Sequence, residues 1–304
     1  MSSKKNYLFI IGVPKCGTTS LAATLNRHPE IAWAKNKETM LFTDFAERRW
    51  SGPGVEFFQE MTGDFDTTLE WEYVNEGSAS WRLEGSTDNL SCSVSAQRIT
   101  DFTKREDVGE IRIVAILRDP VLRAVSEYQH TIRDGLETKS LKKSLKLESK
   151  RLAGGMSPLF GHVFRSSYVS QIARYREVFG DNFLILDYHR LADGREVADQ
   201  ITDYVGLSPV EVESVASTNK SFVYRSGILR AIQTNDVVVS LMRILVPKGF
   251  RAGIQSVLSR LNRTEYRPSE AEFDLLRHAL KDEIAACVAD PAIPTDRWTA
   301  ALGR

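Results

Sequence analysis

Cysteine is scarce in this chain of 304 residues: Cys16, Cys92 and Cys287 are far apart and odd in number. That excludes a disulfide framework or a cysteine-built zinc site and points to a reducing compartment, so a cytoplasmic protein is expected. Histidine is scarce too, at five residues, and no His, Cys, Asp or Glu stand at metal-ligand spacing. No metal is expected. Neither sign of charge is in excess, since Lys plus Arg and Asp plus Glu number 40 each. Such balance argues against a general nucleic-acid partner while leaving room for a local basic site. No apolar run reaches the roughly 18 residues that span a bilayer, and the longest, Val237 to Val246, is broken by Ser240 and Arg243. No transmembrane segment is expected. With only the polar stretch Met1 to Asn6 ahead of the first apolar segment, no signal peptide is expected. Repeats and low-complexity tracts are also lacking.

What the chain does have is an alternation of apolar runs and helical patterns. Tyr7–Gly12, Ile111–Leu117 and Phe183–Leu186 are short, nearly continuous apolar segments, the mark of strands covered on both faces. Ile31–Trp33 and Leu69–Tyr73 are weaker candidates. Val121, Val125, Tyr128 and Ile132 step by 4, 3 and 4, with Asp119 and Pro120 suited to the N-cap and first helical positions. Tyr168, Ile172, Tyr175 and Phe179 step likewise and stop at Gly180; Val197, Ile201 and Tyr204 run toward Gly206. Ser269 and Glu272 form a capping box ahead of one helix carrying Phe273, Leu276, Leu280 and Ile284. Strands alternating with helices imply an α/β fold, a central parallel sheet flanked by helices in three layers. One domain over 1–304 is expected, with a core at about 7–225 and a helical extension at about 226–304. Arg49–Asp66 and Gly135–Pro158 read as insertions, either solvated or walling a cleft.

The strongest local signal is Gly12-Val13-Pro14-Lys15-Cys16-Gly17-Thr18-Thr19, set between a strand and a helix. Successive N–H groups at such a turn form an anion nest, and the helix dipole adds to it. Gly17 admits a close phosphate, Thr18 and Thr19 supply hydroxyls, and Lys15 supplies charge. The Gly-four-Gly spacing of a nucleoside-triphosphate loop is kept, but Thr18 stands where that loop has its Lys. Cys16 is no phosphatase nucleophile, because Ala22 stands where C-x₅-R needs its Arg; it reads as a packing or backbone position. A second anion site is Arg118-Asp119-Pro120 with Ser126 two helical turns on, an Arg fork plus a hydroxyl at the C-terminal end of a strand. Asp119 is placed to cap the helix, and Arg123 reads as solvated.

The pair PKCGTTSL and RDPVLRAVSEY resembles the 5′-phosphosulfate and 3′-phosphate signatures of the sulfotransferases that use 3′-phosphoadenosine 5′-phosphosulfate (PAPS). The branch most resembled contains heparan-sulfate sulfotransferases and their bacterial relatives. His28-Pro29-Glu30 followed by Lys37-Glu38-Thr39-Met40-Leu41-Phe42 resembles that branch's "HP…KE…FF" segment, and Glu76 to Trp81 its "GEKTPxY" segment. Three departures stand out: Gly77 and Ala79 in the latter, Met40 where a His is common, and Asn219-Lys220-Ser221 with Arg225 in place of a late "KGR". The resemblance implies a P-loop-like fold and sulfuryl transfer from PAPS to a hydroxyl or amine, releasing PAP, with no metal. Donor contacts would be Lys15, Cys16, Gly17, Thr18, Thr19, Ser20, Arg118, Ser126 and Arg225. Glu38 would be the general base, Lys15 would also stabilise the leaving phosphate oxygen, and Lys37 and Glu76 would meet the acceptor. His130 is the one rival base, otherwise a solvent-facing or capping residue. A glycan or glycolipid acceptor follows from the branch; a small alcohol is the other option. The apolar and basic segment Val237–Arg263 is able to rest on a membrane surface. The alternatives are a P-loop kinase-like phosphotransferase and a non-catalytic nucleotide-binding protein.

Overall fold

A computed structural model describes residues 4–34, 36–45, 47–55, 73–74, 77, 79–192, 194–209, 223–224, 263–264 and 266–304. Its centre is a six-stranded sheet. The strands are β1 (Lys5–Gly12), β2 (Ile31–Ala34), β3 (Tyr73–Val74), β4 (Trp81–Glu84), β5 (Val108–Leu117) and β6 (Phe183–Asp187), in the order β3-β2-β4-β1-β5-β6. All pair in parallel except β3, which runs antiparallel to β2 at the edge. The continuous apolar runs of β1 and β5 are explained by that position. Residues Tyr7 to Gly12 and Ile113 to Leu117 are buried because both faces of the sheet are covered.

The covering helices are α1 (Thr18–Leu25), α2 (Ser95–Thr103), α3 (Pro120–Arg133), α4 (Leu141–Ala153), α5 (Tyr168–Phe179) and α6 (Gly194–Tyr204). Helix α1 packs on α6 and α2 on α5. Tyr7, Phe9 and Phe42 meet Phe102 of α2 edge to face, with ring centroids 4.9, 6.4 and 5.3 Å apart. Asp119 caps α3 as its sequence position predicts: its Oδ1 accepts from the N–H groups of Val121 and Leu122.

At the C-terminal end lie α7 (Glu270–Ala279), α8 (Lys281–Ala289) and α9 (Thr299–Leu302). The capping box of Ser269 and Glu272 is formed, but the single helix expected over Phe273 to Ile284 is two. Leu280 leaves helical geometry at φ −106°, ψ 11°, so its side chain stays in the core while the axis turns. Leu276, Leu280, Ile284, Cys287 and Trp298 join the same apolar cluster as β1 and β5. The Asp119 Oδ2 accepts from the Ala301 N–H at 2.9 Å, tying the last helix to the start of α3. The segment after residue 225 is not helical throughout: β8 (Arg263–Thr264) pairs antiparallel with β7 (Val223–Tyr224).

Strand β4 falls where no strand was expected. The Leu69–Tyr73 candidate lies outside the described residues except for Tyr73, which belongs to β3. The two insertions meet: Ser51 donates from N to the Gly155 carbonyl at 2.9 Å and from Oγ to that of Gly154 at 3.2 Å. Among the described residues no helix is long and apolar enough to cross a membrane; most of Val237–Arg263 lies outside them.

Candidate active site

Strand β1 is flanked by β4 on one side and β5 on the other, so its C-terminal end is the crevice where connections part and open α/β sheets take ligands. The Val13–Gly17 turn occupies it. Lys15 and Gly17 adopt left-handed φ of 72° and 68°. A Cβ on Gly17 would also lie 3.2 Å from Leu191 Cδ1 and 3.3 Å from the Tyr188 ring, so conformation and crowding both require glycine. Among the described residues no N–H from Lys15 to Thr19 is spent on a backbone carbonyl. Five donors thus converge above the positive end of α1, a concavity built for an anion. Cys16 is fully buried, and burial pushes its thiol up to about 12. It contributes backbone, not a nucleophile.

Burial lowers Lys15 to about 8; Arg133 lowers it further, against the pull of Glu127 and Asp134. A poorly solvated ammonium is one that an incoming anion stabilises. Arg118, at the end of β5, donates from Nη1 to the Lys15 carbonyl at 3.1 Å and lies 4.7 Å over the Tyr188 ring. The two anion sites therefore touch through backbone. Ser126 is half-buried on α3. Arg123, expected in solvent, is fully buried. Its Nη2 meets Glu127 Oε2 at 2.8 Å and its Nε meets Ser166 Oγ at 2.6 Å, because its helical face turns inward.

Lys37 and Glu38 lie on the loop after β2, not in a helix. The Lys37 ammonium donates to Thr18 Oγ1 at 3.2 Å, Thr19 Oγ1 at 3.1 Å and Glu38 Oε1 at 2.7 Å. Lys37, expected against the acceptor, thus lies on the donor loop and brings the Glu38 carboxylate to the same helix end. The loop is fixed from below by Glu84, which the sequence reasoning missed. Glu84 Oε1 accepts from Thr39 N, Thr39 Oγ1, Ser86 N and Ser86 Oγ, and Oε2 accepts from Asn89 Nδ2 at 3.1 Å. Burial raises this carboxyl despite those donors. Glu84 is the last residue of β4, a strand that no sequence pattern marked. Glu76 and Arg225 lie outside the described residues, as do Asn219 to Ser221. His130 is half-buried rather than solvent-facing. Burial and the Lys15 charge lower it to about 4, so its 3.3 Å approach to Asp134 is no ion pair at neutral pH and it is a weak base. Among the described residues no His, Cys, Asp and Glu cluster in a metal-holding arrangement.

Residues 5–226 match the model of the sulfotransferase domain. The chain belongs to the sulfotransferase family. Its enzymes move the sulfuryl group of PAPS to an acceptor. A solved sulfotransferase from Alicyclobacillus acidocaldarius is 29% identical over 89% of this chain and 99% of its own, at a TM-score of 0.61. Mouse sulfotransferase SULT7A1, solved with PAP, is 15% identical over 84% of this chain and 88% of its own, at 0.39. Retinol dehydratase, solved with androsterone and PAP, is 13% identical over 93% and 81%, at 0.44. No curated protein matches.

Proposed function

We propose that this sulfotransferase binds PAPS across the end of β1 and transfers its sulfuryl group to a hydroxyl or amine of a glycan or glycolipid. The 5′-phosphosulfate is assigned to the N–H groups of Lys15 to Thr19 and the hydroxyls of Thr18, Thr19 and Ser20. The 3′-phosphate is assigned to Arg118 and Ser126. Glu38 takes the acceptor proton as the acceptor atom forms its bond to sulfur, and Lys15 holds the charge that develops on the phosphate oxygen as its bond to sulfur breaks. The observation that carries this reading is the Lys37 ammonium, bound at once to both Thr hydroxyls and to Glu38. An anion on those hydroxyls offers Lys37 a stronger partner and releases the Glu38 carboxylate to work as a base. The glycan or glycolipid class rests on the resemblance of Lys37-Glu38 and its neighbours to the heparan-sulfate branch. Three free, buried cysteines support a cytoplasmic setting. The described C-terminal helices share the core of the sheet, which supports one catalytic unit.

The test is Glu38→Gln. Turnover with ³⁵S-labelled donor is expected to fall about 10²-fold or more, while PAP binding by calorimetry persists. Near-normal turnover would remove Glu38 from the role. A panel of glycans, glycolipids and small alcohols in the same assay identifies the acceptor class; label found only on small alcohols overturns the glycan assignment.

A further inference from the structure

Beneath the loop and the base lies a buried ionic cluster that the reaction described above does not use. Arg165 sits in the short turn ahead of α5 and is 2% exposed; Asp88 is 3% and Glu127 1% exposed. Arg165 donates from Nη1 to Glu127 Oε1 and from Nη2 to Asp88 Oδ1. On the far side of Glu127, Arg123 closes the cluster and also donates to the His162 carbonyl at 2.6 Å. Two guanidinium groups thus meet two carboxylates out of reach of water. Such clusters rarely add net stability over apolar residues of the same volume, so stability is a poor account of this one. Its place is more telling. Asp88 lies four residues past Glu84, in the Thr87–Asn89 turn that follows the strand end holding the Glu38 loop, and Glu127 adjoins Ser126 on α3. The charge of Glu38 is felt at both Asp88 and Arg165, and that of Arg165 at Lys15.

We propose that Arg165 is a positioning residue for sulfuryl transfer: its fork locks the turn after β4, whose Glu84 holds the base loop, to the helix carrying Ser126. The inference rests on Glu38 as the base. With both bonds made, the base loop and the phosphate helix keep one spacing, and the field at the reacting atoms is set before substrate arrives. Asp88 is the weak joint. Burial pushes its carboxyl up to about 6 against the pull of Arg165. The charges facing it are Arg165 from the turn before α5, Glu127 from α3 and Glu38 from the loop after β2, with Arg123 and His162 behind Glu127. Glu127 stays ionised, since Arg123 and Arg165 outweigh the effect of burial. A falling pH therefore protonates Asp88 before Glu127 and loosens Arg165 on that side.

Asp88→Asn and Arg165→Lys test this, read as kcat and KM against pH, with PAP affinity and stoichiometry from calorimetry. Asp88→Asn keeps the shape and removes the titration. Its kcat at pH 7.5 is expected to fall about five-fold or more, and its acid limb to move at least about half a unit lower. Arg165→Lys keeps the charge and loses the fork, so kcat falls about tenfold with PAP affinity within about threefold. A cluster that is merely structural would lower melting temperature and leave the kcat of the PAP-competent fraction and the limb of Asp88→Asn unchanged; that result overturns the inference. Glu38→Gln separates the two readings. If that variant is inactive while the Asp88→Asn limb stays in place, only the positioning role fails; if it is active, the base and the positioning role fall together.

Discussion

Raising the pH should weaken the hold on the donor product, and Lys15 sets the amount. Burial lowers its ammonium to about 8 from an ordinary value of 10.5. Only the charged form stabilises the phosphate anion, so PAP affinity is expected to fall about tenfold for each pH unit above 8. At pH 8.5 about three-quarters of the unliganded enzyme carries a neutral Lys15, and binding should draw in roughly that fraction of a proton. PAP itself contributes none there, its phosphates titrating near about 6. Stability moves the other way. The folded value lies below the unfolded one, so burying the ammonium costs stability below about pH 8, and the cost fades as pH rises toward 10.5. Calorimetry at pH 7 to 9.5, in two buffers of different ionisation enthalpy, reads affinity and proton uptake together. Lys15→Arg keeps its charge throughout and should lose both the slope and the uptake. No uptake at pH 8.5 in the natural enzyme, or the same uptake in Lys15→Arg, refutes the reasoning.

Two further outcomes follow from buried carboxylates. Glu84→Gln turns one acceptor into a donor facing Thr39, Ser86 or Asn89; it should cost about 1–3 kcal/mol in denaturant unfolding. It should also lower turnover about tenfold by loosening the Glu38 loop, while the Arg118 side of the site keeps its PAP contact. Asp119→Ala removes the α3 cap and leaves the Ala301 N–H without its acceptor, for about 2–4 kcal/mol together. Asp119→Asn, which keeps one acceptor oxygen, should cost less than half of that in the same measurement.

The parts of the site legible in the sequence are those made of consecutive residues. A strand, a turn and a helix in unbroken order give the nest of Lys15 to Thr19, and the Asp119-Pro120 start of α3 follows from the same local rules. The parts that were not legible depend on burial. Arg123 reads as solvated and Glu127 carries no signal of its own, yet both are buried. Glu84 falls where no strand was expected and carries no signal until Thr39 and Ser86 fold over it. His130 looks solvent-facing until Lys15 is found against it. Charge in a sequence carries no mark of its dielectric surroundings, so a one-dimensional reading gives a buried charge the commonest environment, the surface.

The order of residues alone carried the layered α/β architecture, the strand-turn-helix around Lys15 with Arg118 beyond it, and the likeness to the sulfotransferase family. Backbone conformation, capping and strand periodicity act over a few residues and leave their signature in order and spacing. Tertiary structure alone decided that Lys37 meets Thr18 and Thr19, that Glu84 underpins the Glu38 loop, and that Arg165 joins Asp88 to Glu127. Those pairs span 18 to 77 positions of chain, and only the packing of β4, α3 and the turn before α5 around one strand end brings them within bonding distance.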